Sequence, residues 1–219
     1  MLVDLKLSGM NVVVVGGGRE SYRKILKFLE EGSRITVYSR SFSAGFKRLK
    51  AEGKISLVKA NVNDAKVFIT RLEPKPHLLI AATDNRDFNA ELASNAKAAG
   101  CMVYAIDNPS ISDFTLPALA RIGDVKVAVS TGGKSPAVAR ALRIRIERMV
   151  KPEDLLQIQL QHQIRGVLKR QIADQRARRR IIYSVFADKH IKELLKAGKM
   201  EEARLEAFKI IEGYTSNKG

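Results

Sequence analysis

A β-branched strand, three consecutive glycines and an amphipathic helix follow one another near the N-terminus, and this succession limits the fold more than any other feature. Residues 11–16, NVVVVG, form a short β-branched run that is typical of a strand covered on both faces. Gly16, Gly17 and Gly18 come next, and residues 19–32 carry apolar side chains at helical spacing. Gly16 permits a tight turn, and Gly18 lets the backbone approach a pyrophosphate at the N-terminus of the helix. The pattern predicts a dinucleotide-binding Rossmann domain.

Strands and helices continue to alternate up to residue 113. Further strands are predicted at 34–38, 55–60, 77–83 and 102–107, and a helix is predicted at 86–100. Such alternation indicates βαβ units, right-handed crossovers and a parallel sheet.

The pattern changes after residue 113. Two extended runs at 114–121 and 125–131 predict an antiparallel hairpin, and Ser135 followed by Pro136 predicts the start of a helix that reaches about Val150. From Pro152 onward only helical periodicity is present, and it predicts three helices at about 152–178, 181–196 and 199–212. The expected fold is therefore α/β: a Rossmann-type parallel sheet (1–113), a small hairpin-plus-helix region (114–150) and an all-helical C-terminal domain (151–219).

The chain is strongly basic, with a formal net charge of +16 from 39 Lys and Arg against 23 Asp and Glu. The excess of basic over acidic residues is densest in residues 114–150, which contain seven basic and two acidic residues. A polyanionic ligand, either nucleic acid or a molecule rich in carboxylates or phosphates, is therefore expected. Only 6% of residues are aromatic, none is Trp, and no recognition-helix motif is present, which argues against nucleic acid.

Several other classes of site are disfavoured by composition. Cys101 is the only cysteine, which excludes disulfides within the chain and a cysteine-rich metal site. The three histidines, His77, His162 and His190, have no metal-ligand spacing, so no metal site is predicted. No apolar run approaches the roughly 20 residues that span a membrane, and no signal-peptide pattern is present. We therefore expect a cytoplasmic protein without membrane contact.

The end of the second predicted strand leaves the identity of the nicotinamide cofactor open. An Asp or Glu there would bind a free ribose 2′-hydroxyl, but this sequence has Ser39 and Arg40, which could accept a 2′-phosphate. NAD is the expected cofactor, and NADP remains an alternative. Arg19 and Glu20, the first residues of the helix after the glycines, belong to the same predicted cofactor site.

Polar residues also follow the fourth and fifth predicted strands. Thr83, Asp84 and Asn85 come after the fourth strand, and Asp107 ends the fifth. Both positions are carboxyl ends of parallel strands, the edge at which open α/β sheets bind ligands. We expect the first three to lie near the ribose or nicotinamide of the cofactor; for Asp84 and Asp107, ordinary turn roles are the competing interpretation.

Four blocks of sequence match one known family in order. The opening VVVVGGGRESYRKILKFLEEGSRITV resembles its GGG-x-x-x-x-RK pattern, LLIAATDNRDFN its IAATD-x-x-x-x-N segment, VYAIDNPSISDFTLPALAR its N-V-x-D-x-P…F-x-x-P-A stretch, and VAVSTGGKSPAVARALRIRIE its S-x-GG-x-SP-x-x-AR segment. Across about residues 1–150 the chain thus resembles the precorrin-2 dehydrogenase and siroheme synthase family. The sequence departs from the family at two positions. Arg19 stands where an acidic residue is frequent in the family, and Arg40 is not the residue expected of an enzyme that uses NAD alone.

The resemblance implies a homodimer, with residues 114–150 as its small central dimerisation region. It also implies an enzyme that oxidises precorrin-2, a tetrapyrrole with eight carboxylates, to sirohydrochlorin with NAD as hydride acceptor. Some members of the family also insert iron. By the same analogy Asp107 is the main catalytic candidate, and Thr131 stands where some relatives have serine. Lys134, Arg140 and Arg143 are plausible partners for the substrate carboxylates. The alternative is a non-catalytic dinucleotide sensor that acts through its helical tail.

Overall fold

The first part of the chain folds around a five-stranded parallel sheet. The computed structural model describes residues 2–216. The strands are β1 (Asn11–Val15), β2 (Arg34–Ser39), β3 (Ser56–Lys59), β4 (Leu78–Ala81) and β5 (Met102–Ala105), in the spatial order β3-β2-β1-β4-β5. The helices between them are α1 (Arg19–Glu30), α2 (Ala44–Ala51), α3 (Ala65–Thr70) and α4 (Arg86–Ala98). The strand order reverses at β1, which lies between β2 and β4, so a crevice is expected outside the carboxyl ends of these three strands.

Alternate residues of the central strands pack into two separate cores, one on each face of the sheet. Val14 of β1 packs with Ile25 of α1 and Phe46 of α2, and all three are fully buried. On the opposite face Leu79 of β4 packs with Leu92 of α4. Continuous burial of both faces is the reason that the strands read as uninterrupted apolar runs.

The contacts divide the chain into two compact units, with the division between Leu116 and Pro117. The second unit begins with the antiparallel hairpin of β6 (Ala118–Ile122) and β7 (Val125–Val129). Helix α5 (Pro136–Glu147) packs on this hairpin, and its first turn is capped by the Ser135 hydroxyl, which accepts a hydrogen bond from the Val138 N–H at 3.3 Å. The predictions of a hairpin and of the Ser135 cap are confirmed.

The remainder of the second unit is helical, and its described part contains four helices, so the prediction of three was wrong. They are α6 (Pro152–Gln171), α7 (Gln175–Ala187), α8 (Lys189–Lys196) and α9 (Met200–Ser216). The expected helix at 152–178 ends early because the Asp174 carboxylate accepts hydrogen bonds from the N–H groups of Arg176 and Ala177 and begins a new helix there. Leu160, Ile164 and Ile181 are central to the core that these helices share.

No helix in residues 2–216 combines the length and the apolar character that crossing a bilayer requires.

Candidate functional site

The turn after β1 needs glycine at its first two positions for reasons internal to the protein. Gly16 has a φ of +123°, and a Cβ there would lie 2.1 Å from the backbone oxygen of Ala82. A Cβ at Gly17 would lie 2.2 Å from the backbone oxygen of Ser41. Close packing of the turn against the chain after β4 and after β2 therefore excludes any side chain at either position.

Gly18 differs from its two neighbours. Its φ of −77° and ψ of 178° suit any residue, and a Cβ built there would meet no atom within 4 Å. No described contact of the protein therefore requires glycine at this position. The open space above Gly18 is where the second glycine of a G-x-G-x-x-G turn leaves room for the pyrophosphate of a ligand.

Hydrogen bonds with three serines hold the glycine turn in place. The buried Ser21 hydroxyl lies 2.8 Å from the carbonyl oxygen of Gly16 and 3.0 Å from that of Gly18. The Gly17 N–H donates to the Ser39 hydroxyl at 3.0 Å, and the Ser43 N–H donates to the Gly17 carbonyl at 2.9 Å.

The amides that follow the turn remain available. Within residues 2–216, the N–H groups of Gly18, Arg19 and Glu20 have no acceptor. They are the orphan donors expected at a helix N-terminus, where the helix dipole also favours an anion. The turn can therefore bind a phosphate through backbone amides, as a nicotinamide dinucleotide requires.

A cavity of about 690 Å³ opens over this turn, at the carboxyl ends of β1, β2, β3 and β4. Its lining includes all ten predicted cofactor-binding residues: Gly16, Gly17, Gly18, Arg19, Glu20, Ser39, Arg40, Thr83, Asp84 and Asn85. Sequence reasoning did not identify Asn61 and Asn63, which line the cavity from the chain after β3. The predicted strand at 55–60 could have identified these two residues, because the residues after its carboxyl end must lie at the same edge of the sheet as the rest of the site.

The three residues after β4 have different surroundings. Asn85 caps α4, because its side-chain oxygen accepts a hydrogen bond from the Phe88 N–H at 3.0 Å. The Thr83 hydroxyl lies 2.7 Å from the side-chain oxygen of Asn89. Asp84 is exposed and lines the cavity without a cation within ion-pair distance among residues 2–216.

A buried amide links the ends of β4 and β5. Asn89 is 1% exposed, and its side-chain oxygen also accepts from the Thr83 N–H at 3.0 Å. Its side-chain nitrogen donates to the Thr83 carbonyl at 3.1 Å and to Oδ1 of Asp107 at 3.2 Å. Asn89 was not predicted as a site residue, although it is the asparagine of the IAATD-x-x-x-x-N pattern.

Asp107 is exposed and lies beside the cofactor cavity without lining it. One carboxylate oxygen is fixed by the Asn89 amide, so the other is free to accept a proton or a hydrogen bond. The side-chain amide of Asn89 therefore holds Thr83 in the cavity wall and also orients Asp107. A carboxylate held in this way can accept a proton from a neighbouring molecule.

The candidate substrate-binding residues belong to the second unit. Thr131 closes the turn before α5, since its hydroxyl lies 3.1 Å from both the N–H and the carbonyl oxygen of Ser135. Lys134 and Arg140 are exposed, whereas the Arg143 guanidinium donates to the Glu147 carboxylate at 2.6 Å. Among residues 2–216, Lys134 and Arg140 have no carboxylate partner, whereas Arg143 would bind a substrate carboxylate in competition with Glu147.

Family models match two parts of the chain. Residues 3–118 match a model described as putative NAD(P)-binding, and residues 123–149 match one described as sirohaem biosynthesis protein central. The precorrin-2 dehydrogenase of Methanosarcina barkeri is 30% identical over 214 residues, which cover 97% of this chain and 94% of that protein.

Longer proteins match as well. The siroheme synthases of Gluconobacter oxydans and Methylococcus capsulatus are each 37% identical, over 148 and 177 residues. The matched region spans only 31% and 36% of those two proteins. Among solved structures, SirC, a precorrin-2 dehydrogenase, has the same fold with a TM-score of 0.74 and 22% identity, and the match covers 95% of this chain and 99% of SirC.

Proposed function

The chain belongs to the precorrin-2 dehydrogenase family, and on that premise we propose that it oxidises precorrin-2 to sirohydrochlorin with a nicotinamide dinucleotide as hydride acceptor. The observation that carries the proposal is the cavity at the carboxyl edge of the sheet. It combines free backbone amides, an unobstructed glycine at position 18 and a positioned carboxylate at its edge. These residues fit a bound dinucleotide, which would supply the hydride acceptor.

The protein's own groups supply binding, orientation and a proton acceptor. The amides of Gly18, Arg19 and Glu20 would hold the pyrophosphate of the dinucleotide, and Thr83 and Asp84 would bind its ribose or nicotinamide. Dehydrogenation removes a hydride and a proton from the substrate, and the proton passes to Asp107 directly or through water. Asn89 keeps that carboxylate oriented.

The basic surplus of the second unit provides the attraction for the substrate. Precorrin-2 carries eight carboxylates, and Lys134 and Arg140 are exposed cations that can pair with them, joined by Arg143. The hairpin and α5 form a homodimer contact in this proposal, because Ala120 and Ala139 are the only buried residues of β6, β7 and α5.

The decisive experiment is incubation of the full chain with precorrin-2 and either NAD or NADP. We expect the tetrapyrrole spectrum to change in step with the appearance of reduced nicotinamide, in equal molar amounts. Tight dinucleotide binding without any change in the tetrapyrrole spectrum would contradict the proposal and favour a non-catalytic sensor.

A further inference from the structure

The cavity wall at the end of β2 has the character of a phosphate site and not of a hydroxyl site. Ser39 is the last residue of β2, and Arg40 and Ser41 follow it; all three line the cavity. In a Rossmann fold this strand end meets the adenosine ribose, where a carboxylate accepts a hydrogen bond from the 2′-hydroxyl of NAD and an arginine accommodates the 2′-phosphate of NADP.

No carboxylate is available for the ribose at this point. Among the cavity-lining residues the acids are Glu20 and Asp84. Glu20 lies in the first turn of α1 and pairs with Arg23, and Asp84 follows β4. A free 2′-hydroxyl at the end of β2 would therefore lack its usual acceptor.

Cations take the place of that acid. Arg40 is exposed, and its guanidinium has no carboxylate partner within the described residues. Lys59 is the register partner of Ser39 on β3 and is also exposed, so it adds a second positive charge on the adjacent strand, outside the cavity lining. A 2′-phosphate carries close to two negative charges at neutral pH and accepts a bidentate pair of hydrogen bonds from arginine.

The Ser39 hydroxyl is already oriented. It accepts a hydrogen bond from the Gly17 N–H at 3.0 Å, so its own hydrogen remains free to donate. The same contact ties this hydroxyl to the glycine turn, so the two phosphate-binding elements keep a fixed separation. From these contacts we infer that Ser39 and Arg40 form a binding site for an adenosine 2′-phosphate, and that the chain prefers NADP to NAD.

This inference rests on the proposed dinucleotide site, and binding experiments separate the two. Calorimetric titration of the full chain with NADP and NAD, and with adenosine 2′,5′-bisphosphate and adenosine 5′-monophosphate, isolates the effect of the 2′-phosphate. We expect tighter binding of both 2′-phosphorylated ligands. Replacing Arg40 by alanine should weaken NADP binding about 10- to 100-fold and change NAD binding less than threefold, as expected for loss of a charge-assisted pair.

A matched variant controls for the general loss of positive charge. Lys50→Ala removes one exposed charge from α2, outside the cavity lining, and should leave the NADP-to-NAD affinity ratio unchanged. Thermal unfolding of Arg40→Ala should match the wild type, because the side chain is exposed.

Two results would overturn the inference: tighter binding of NAD than of NADP by the wild type, or an equal loss for both ligands in Arg40→Ala. Either result would leave the dehydrogenase proposal intact. Conversely, a strong preference for NADP without oxidation of precorrin-2 would support the proposed 2′-phosphate site and contradict the proposed dehydrogenase activity.

Discussion

At the scale of single residues, Gly16 and Gly18 are both glycines of the same turn, but the reason that each position needs a glycine is different. Gly16 is held by a positive φ and by the approach of Ala82, both internal to the fold. Gly18 has neither constraint, so its role lies with what enters the cavity. The pair therefore separates the stability of the turn from its capacity to bind a ligand.

The first prediction concerns Gly18→Val. We expect loss of dinucleotide binding with the chain still folded, because the added side chain fills the space above the turn. The cost in unfolding free energy should be about 1 kcal/mol, since valine is a poor residue at the start of a helix. Calorimetry and thermal unfolding measure the two effects.

Gly16→Ala is the matched comparison for Gly18→Val. Its Cβ would collide with a backbone oxygen, so it should destabilise the domain whether or not a ligand is present. Unchanged dinucleotide affinity in Gly18→Val would show that the turn is not the phosphate site.

The second prediction concerns Asp107. Asp107→Ala should retain dinucleotide binding, because the residue lies outside the cavity lining, and should slow single-turnover oxidation of precorrin-2 about 10²- to 10⁴-fold. Stopped-flow absorbance of the tetrapyrrole measures the step. A rate within threefold of the wild type would show that Asp107 is only a turn residue and has no catalytic role.

At the scale of elements, Asp113 fastens the chain that follows β5. Its carboxylate accepts a hydrogen bond from the Val103 N–H at 2.8 Å and pairs with Lys97 of α4 at 2.8 Å. Partial burial acts to raise the pKa of this carboxyl, but the hydrogen bonds from Lys97 and Val103 and the Lys97 charge outweigh it. The pKa therefore lies below its ordinary value of 3.8.

The third prediction is the acid dependence that follows from this lowered pKa. The unfolded chain binds the proton more readily, so the stabilisation from Asp113 is complete above the ordinary pKa and is lost as the pH falls through the folded-state pKa. The difference in unfolding free energy between wild type and Asp113→Asn should therefore shrink between about pH 5 and pH 2. Glu91→Gln, which removes an exposed carboxylate of α4, is the control; an equal trend in both variants would contradict the assignment.

The elements that sequence predicted well are those with a strong local signal. Strands β1, β4 and β5 are short, largely buried apolar runs, and Ser135 with Pro136 is a clear helix start. Helices α2 and α3 were missed, since they are only eight and six residues long and bury few apolar side chains. The ends of α6 and α7 were misplaced because Asp174 and Asp188 act as helix caps, and their role depends on backbone geometry that apolar periodicity does not report.

The candidate site followed the same division. Residues at strand ends could be predicted, because a parallel sheet brings all its carboxyl ends to one edge. Asn89 could not be assigned a role from periodicity, since it lies within α4 and reaches Thr83 and Asp107 only once the sheet has formed. Arg143 was predicted as a partner for substrate carboxylates, and its ion pair with Glu147 became evident only on the helix face.

At the scale of the whole molecule, the fourth prediction is a homodimer formed through residues 114–150. The hairpin and α5 bury little of their own apolar surface, and Val138 and Met149 are 51% and 68% exposed. A two-stranded hairpin is marginal without further packing, and a two-fold contact is the commonest solution. Sedimentation at micromolar concentration should show a dimer, and a monomer would contradict the prediction.

Two single substitutions locate the dimer contact. Val138→Glu puts a charge on the exposed face of α5 and should weaken the dimer. Leu205→Glu makes the same change at a residue of α9 that is 59% exposed and should leave it intact. Equal sedimentation of both variants as dimers would place the contact elsewhere.

The serines around the glycine turn have a consequence for how quickly a ligand is captured. Ser21, Ser39 and Ser43 already hold the carbonyls and one amide of the turn, so these residues lose their conformational entropy when the domain folds. When a ligand binds, the entropy cost then comes mainly from the ligand and the local water, because the backbone of the turn is already ordered. Association with the turn should therefore follow single-step kinetics that scale with ligand concentration, without a saturating phase from slow rearrangement of the chain.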